Sequence, residues 1–305
     1  MATTVPMPVS NSVTLAQKYL DRLDAVYKRE SCSAILDTTN LVWTGADTLK
    51  VFKFSTVGMA NYSRGGGYVA GDSTGTWESF QLSKDRGRSY LIDKMDDIQT
   101  MYQLGAAQLS ETMRTQIIPE IDAYCFAKLA GTAGILSGTA ATIVPGTTDV
   151  GALISEGEAA MDDEEVPYEG RILFISPTCY NALKQKIERR IINSENNVSY
   201  EVEYFDGMRL IRVPKTRFNT SVTLSSSDDS HDDAGGYTLA GNAINFMIVH
   251  PSAVIKATAL RDVDVFERVP YASGMVVNFR NVFDTFVYDN KKKGIYLHAG
   301  LTVSG

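Results

Sequence analysis

The chain has 305 residues, 44% of them apolar and 21% charged, with a formal net charge of −7. That length allows one large domain or two ordinary ones, with a core covering about three quarters of the unfolded surface. The acid excess opposes tight nonspecific binding to nucleic acid, no run reaches the length of a membrane span, and Met1 to Val13 lacks the basic-then-apolar pattern of a secretory signal. Cys32, Cys125 and Cys179 are odd in number and far apart, which predicts reduced thiols inside a cell rather than a disulfide framework.

Residues 1–13 are small and polar, with Pro6 and Pro8, and are expected to form a flexible arm. Leu15, Tyr19, Leu23, Val26 and Tyr27 then make a helical stripe opposite Lys18, Asp21, Arg22 and Lys28. Residues 48–57 and 76–93 are rich in β-formers and flank a turn-forming stretch with three glycines, Gly65 to Gly67. No strand–loop–helix order and no following Lys-Ser/Thr supports a phosphate cradle there. The expectation is a long two-stranded hairpin projecting from the body. A lone ribbon is not stable in water, so it needs support that its own chain does not evidently supply.

Asp96 and Asp97 suit a helix start. From there Ile98, Met101, Tyr102, Gly105, Leu109 and Met113 recur at steps of three and four. Pro119 interrupts the pattern and should push Ile118 out of the helical region, beginning a renewed helix. That helix carries Ile121, Tyr124, Cys125 and Leu129 on one side and stops at Gly131. Residues 132–148 are small and Gly/Pro-containing, a candidate boundary. Val150, Leu153, Ile154, Gly157, Ala160 and Met161 predict another helix, capped by Thr147 or Thr148. It lies within Asp149 to Glu169, which holds eight carboxylates and no Lys or Arg and reads as a solvated face.

Arg171 to Ile175 reads as a buried strand, Ser176 as the cap and Pro177 as the first residue of a helix running to Ile187. Cys179 near that helix start is the one candidate nucleophile, but no histidine is nearby in sequence, and a packed thiol is the plainer expectation. Strands are predicted at 208–213, 243–249, 263–267, 275–288 and from Ile295. Ser230-His231-Asp232 has the letters of a hydrolase triad, yet adjacent residues cannot reach that geometry. His250 and His298 have no metal-ligand spacing with any partner. Lys291 to Lys293 read as ordinary solubilising charge at a turn. No catalytic, cofactor or metal residues are therefore assigned, and the chain is expected to be an α+β protein that is not an enzyme.

Asp85 to Asp96, Arg114, Ile118 to Tyr124, Asp206-Gly207-Met208, Val213-Pro214, Ile244 to Val254 and Asp289 to Tyr296 together resemble the major capsid proteins of tailed bacteriophages. The resemblance runs in order over most of the chain after about residue 40. It implies the capsid fold shared by tailed phages, herpesvirus floor domains and encapsulins. Residues 1–44 would be the N-arm, 45–95 the extended β-hairpin loop, and 96–145 the peripheral domain with its long spine helix. Residues 146–249 would be the axial domain and 250–305 the return to the peripheral domain with the C-terminal strands.

The implied function is self-assembly as hexamers and pentamers into an icosahedral shell around double-stranded DNA, in a virion assembled in the host bacterial cytoplasm. The hairpin would lie across a neighbouring subunit, and an acidic inner wall would let packaged DNA move. Implied partners are the chain itself, a separate scaffolding protein, a portal, decoration proteins and nonspecifically contacted DNA, with no membrane. Some relatives link an extended-loop lysine to a neighbour's asparagine; Lys84 and Asn278 or Asn281 are the candidates here, outside any matching motif. An encapsulin-type nanocompartment shell is the alternative, and an enzyme using Cys179 or a carboxylate is the third possibility.

Overall fold

A computed structural model describes residues 30–39, 41–45, 47–93, 110–193, 199–225, 235–266 and 274–301. The expected arm, the stripe at 15–27, the helix start at Asp96-Asp97 with its stripe to Leu109, and Ser230-His231-Asp232 lie outside them. The mixed α+β expectation holds, and three sheets organise the described chain.

The first sheet is the predicted ribbon: β1 (Thr48–Thr56) pairs antiparallel with β2 (Ser73–Gln81). The expected second strand at 76–93 is not continuous. It breaks at Leu82-Ser83, and β3 (Lys84–Asp93) leaves the ribbon for another sheet. Leu82 turns inward at the break, while the Ser83 amide and hydroxyl both donate to the buried Asp284 carboxylate. These long-range bonds hold the corner, and no turn residue announces it.

Helical structure enters the described chain at Ser110 and passes through a π-turn at Met113–Ile117 into α1 (Ile118–Ala130). Pro119 does not break it. Ile118 keeps helical angles, φ −61° and ψ −48°. The wider π-turn accommodates the missing Pro119 donor and the bulk of its ring. Nor is α1 buried on one side only: Glu120, Asp122, Ala123 and Phe126 are enclosed along with the predicted stripe. The reason is its position between two sheets. Phe126 stacks edge-on against Phe174 and Phe218 of the large sheet, whereas Ile118, Ile121 and Tyr124 pack on Val263, Val277, Phe279 and Phe283 of the small one. A helix covered from both sides has no polar face to display.

The large sheet begins with the short β4 (Leu136–Ser137). Then α2 (Val150–Asp163) is capped by Asp149, one residue beyond the predicted threonines, whose carboxylate accepts from the amides of Gly151 and Ala152. After it come β5 (Ile172–Ile175) and α3 (Pro177–Leu183), shorter than expected because a 3-10 turn takes over at Lys184. Ser176 occupies the cap position without a side-chain capping bond. Next are β6 (Glu188–Asn193), β7 (Ser199–Phe205), β8 (Met208–Arg212), β9 (Asn219–Leu224) and β10 (Tyr237–Val249). Asp206 and Gly207, both with positive φ, make the two-residue turn between β7 and β8. Strands β11 (Val254–Phe266) and β12 (Gly274–Val287) form a long antiparallel pair, and β13 (Ile295–Ala299) returns to the large sheet.

The large sheet runs β4-β13-β10-β5-β8-β7-β6, with β9 on β10, and the small sheet runs β11-β12-β3. The strand expected at 275–288 is β12, whereas the one expected at 263–267 is only the end of the much longer β11. The ribbon stands on this pair by its root: Leu49, Leu82 and Phe80 pack with Ile255, Ala257 and Phe286.

Candidate assembly surface

The ribbon has two unlike faces because side chains alternate along each strand. Leu49, Val51, Lys53, Glu78 and Phe80 face the body; Leu49 is enclosed, and Lys53 lies 3.7 Å from Asp289. The other face carries Phe52, Phe54 and Trp77, which remain 54%, 57% and 62% exposed. They touch each other: Phe52 stacks on Phe54 at 6.4 Å and meets Trp77 edge-on at 5.2 Å. Gly75 makes room for them, since a Cβ there would lie 2.5 Å from the Phe52 ring. At the tip Tyr62 and Tyr68 pair at 5.0 Å, with Tyr68 91% exposed.

A contiguous aromatic surface of this kind, open to water, is the signature of a contact with another molecule. The β-former count revealed the ribbon. The alternation that separates its outer aromatics from its inner root was legible in the same residues, once the register was known.

The residues singled out from the sequence fall elsewhere. Burial pushes the Cys32 and Cys125 thiols up to about 11 and raises Cys179 also. A nucleophilic thiol needs the opposite shift. Lys84 opens β3 in the small sheet rather than the ribbon, with its ammonium 5.6 Å from the centre of the Tyr124 ring. Asn281 is buried on β12, opposite Arg86, and Asn278 lies opposite Ser89. His250 bonds the hydroxyl of Ser252 and the carbonyl of Glu169, and His298 stacks on Phe246. Among the described residues no cluster of three or more His, Cys, Asp or Glu could hold a metal, and no helix is long and apolar enough to cross a membrane.

The burial of several acids was not legible, and two of them carry consequences. Asp122 on α1 is fully enclosed and accepts from Ser31 Oγ at 2.6 Å, Cys32 N at 3.0 Å, Ser33 N at 3.2 Å and Arg217 Nη1 at 3.1 Å. Glu158, within the stretch read as a solvated face, is 7% exposed. Burial, with the neighbouring Asp206 carboxylate, pushes it up to about 7.

Because the folded value of Glu158 lies above its ordinary 4.5, the folded chain takes up a proton that the unfolded chain does not. This contribution is complete below about 4.5 and is lost as pH rises through about 7. His298 has the opposite sign, since burial lowers its value and acidification below 6.5 charges the unfolded chain first. Glu158→Gln should therefore remove a fall in the folding equilibrium, on the order of tenfold, between pH 5 and 8. Urea titrations across that range, compared with the parent chain, measure it.

No family profile and no curated protein matches this sequence. Solved structures do. Gordonia phage Cozz aligns over 90% of this chain and 87% of its own, at 13% identity and a TM-score of 0.56. The capsid structure of cyanophage P-SCSP1u aligns over 99% and 92%, at 16% identity and a TM-score of 0.55. The virus-like particle from Pyrococcus furiosus aligns over 94% and 100%, at 9% identity and a TM-score of 0.55. The chain has the fold of tailed-phage capsid subunits.

Proposed function

We propose that this chain is a major capsid protein, a structural subunit that assembles into a closed shell around double-stranded DNA. The observation that carries this is the ribbon, whose outer aromatics are covered by nothing among the described residues. In a shell of hexamers and pentamers a neighbouring subunit supplies the cover, burying rings that otherwise cost solubility. The ribbon with its approach from residue 45 serves as the extended loop. The region around α1 and the small sheet belongs to the peripheral domain with residues 250–305, and α2, α3 and strands β5 to β10 form the axial domain at 146–249. The portal, a scaffolding protein and any decoration protein would bind this assembly rather than the single chain.

Expressed alone or with its scaffold, the chain is expected to sediment as rings or closed shells of many copies, visible by electron microscopy. A clean monomer at high concentration with scaffold present would reject the proposal. The likeness to a virus-like particle from Pyrococcus furiosus favours one second reading, a nanocompartment shell. The contents separate the two: nuclease-protected DNA in particles from the native source supports the capsid, and a packaged protein supports the nanocompartment.

A further inference from the structure

The acidic stretch that the ribbon leaves unexplained ends in a loop, residues 162–169, beyond the C-terminus of α2. Helix ends of this kind favour cations, yet the last turn of α2 holds none. Asp162 bonds the buried Arg171, and Glu164 bonds Lys293 at 2.9 Å. Asp163, Glu165 and Glu169 beside them are exposed. Tyr168 stands among them, 55% exposed, and anchors the loop: its hydroxyl donates to the Asp206 carbonyl at 2.9 Å, and the Arg171 guanidinium lies 5.7 Å from its ring.

The complementary surface is a groove of about 700 Å³ walled by Pro177, Tyr180 and Pro214, with Lys184, Arg189 and Arg212 around it. The Arg212 guanidinium lies 4.6 Å from the centre of the Tyr180 ring. Glu203 lies among these cations, at 3.9 Å from Arg189 and 3.5 Å from Arg212. Lys215, also exposed, follows Pro214.

Loop and groove sit at opposite ends of one rigid unit. Strands β5 and β8 are parallel, from Ile172 opposite Arg209 to Ile175 opposite Arg212. The acidic loop leads into the first end; Pro177, Arg212 and Pro214 follow from the second. Helix α2, about 20 Å long, ends at the acidic loop, and its starting residue Asp149 bonds Lys186 near the groove side. An acidic surface at one end and a basic one at the other cannot meet within a chain, but they can meet head to tail between copies. Contacts of that type close into rings.

We infer that the groove beside α3 receives the acidic 162–169 loop of a second copy, whose exposed carboxylates meet Lys184 and Lys215. This rests on the shell proposal and supplies the contact that closes each ring. Charged contacts at a rim mainly set association rate and register, and salt weakens them.

The test reverses each side at exposed positions. Glu165→Lys with Glu169→Lys, or Lys184→Glu with Lys215→Glu, should each weaken assembly at low salt by about tenfold or more, with unchanged thermal melts. All four substitutions in one chain should restore it. Mixing the two reversed chains should restore six-membered rings, which can alternate, and not five-membered ones. The neutral pair Glu165→Gln with Lys184→Gln should flatten the salt dependence, and it carries the test if a reversed chain fails to fold.

Assembly unaffected by either reversal overturns the inference, and so does a folded four-fold variant that fails to recover. If the lysine reversal lowers retention of double-stranded DNA without changing assembly, the groove serves nucleic acid and the inference also falls. A parent chain that never assembles instead rejects the shell proposal, whereas a parent that assembles beside unaffected variants rejects this contact alone.

Discussion

Replacing residues 57–72 by an Asn-Gly turn is expected to leave the subunit folded and to abolish its assembly. The paired strands end at Thr56 and Ser73, so the change removes the tip and keeps the register. Val57, Met59, Tyr62, Tyr68 and Val69 are all exposed, and losing them uncovers nothing in the body. The melting temperature should therefore hold. What is lost is apolar surface that a neighbour would cover, together with the reach of the arm.

Leu49→Ala is the counterpart. That residue is 1% exposed at the ribbon's root, against Ile255 and Ala257, so its truncation should cost about 2–5 kcal/mol of subunit stability. Thermal melts and sedimentation on both variants separate arm from core. An unfolded tip variant, or one that builds shells of normal stability, would defeat the assignment of the ribbon to contacts between subunits.

Asp122→Ala should be the most damaging single change in the body, at about 3–5 kcal/mol. Its carboxylate gathers the backbone amides of Cys32 and Ser33, two serine hydroxyls and the Arg217 guanidinium. Removing it leaves these donors enclosed without an acceptor and Arg217, largely buried, without its counter-charge. It also frees residues 31–33 from α1. Combining Asp122→Ala with Arg217→Met should recover part of the loss, because the second change removes the stranded charge. Urea unfolding of the four chains in this cycle measures the coupling, and strict additivity would show that the ion pair contributes nothing.

Much of the architecture was legible where burial is periodic over short distances. The ribbon strands, β5 with Ser176 and Pro177 after it, and α2 with its apolar stripe all announce themselves within about a dozen residues. Their signals are local: alternation, a cap and a proline at a first turn. Strands β6, β7 and β9 were not predicted, although Tyr200, Val202 and Tyr204 of β7 and Val222 and Leu224 of β9 do alternate with polar residues. Strand β11 was read only from Val263, because Arg261 and Asp262 look like loop residues until the opposite strand is known.

The decisive polar contacts lay beyond local pattern altogether. Asp122 meets Ser33 across 89 residues of sequence, and Ser83 meets Asp284 across 201. Nothing near Pro119 signals the π-turn that carries the helix through it. Nothing near Glu158 signals the opposing Asp206. The amino-acid sequence by itself determined an acidic α+β chain with a two-stranded ribbon, because those properties follow from composition and short-range periodicity. Only the tertiary structure decided which ribbon face is free, which acids are buried, and that acidic and basic surfaces stand at opposite ends of one sheet. Each of these depends on which distant segments pair, and pairing over hundreds of residues is set by the packing of the whole core.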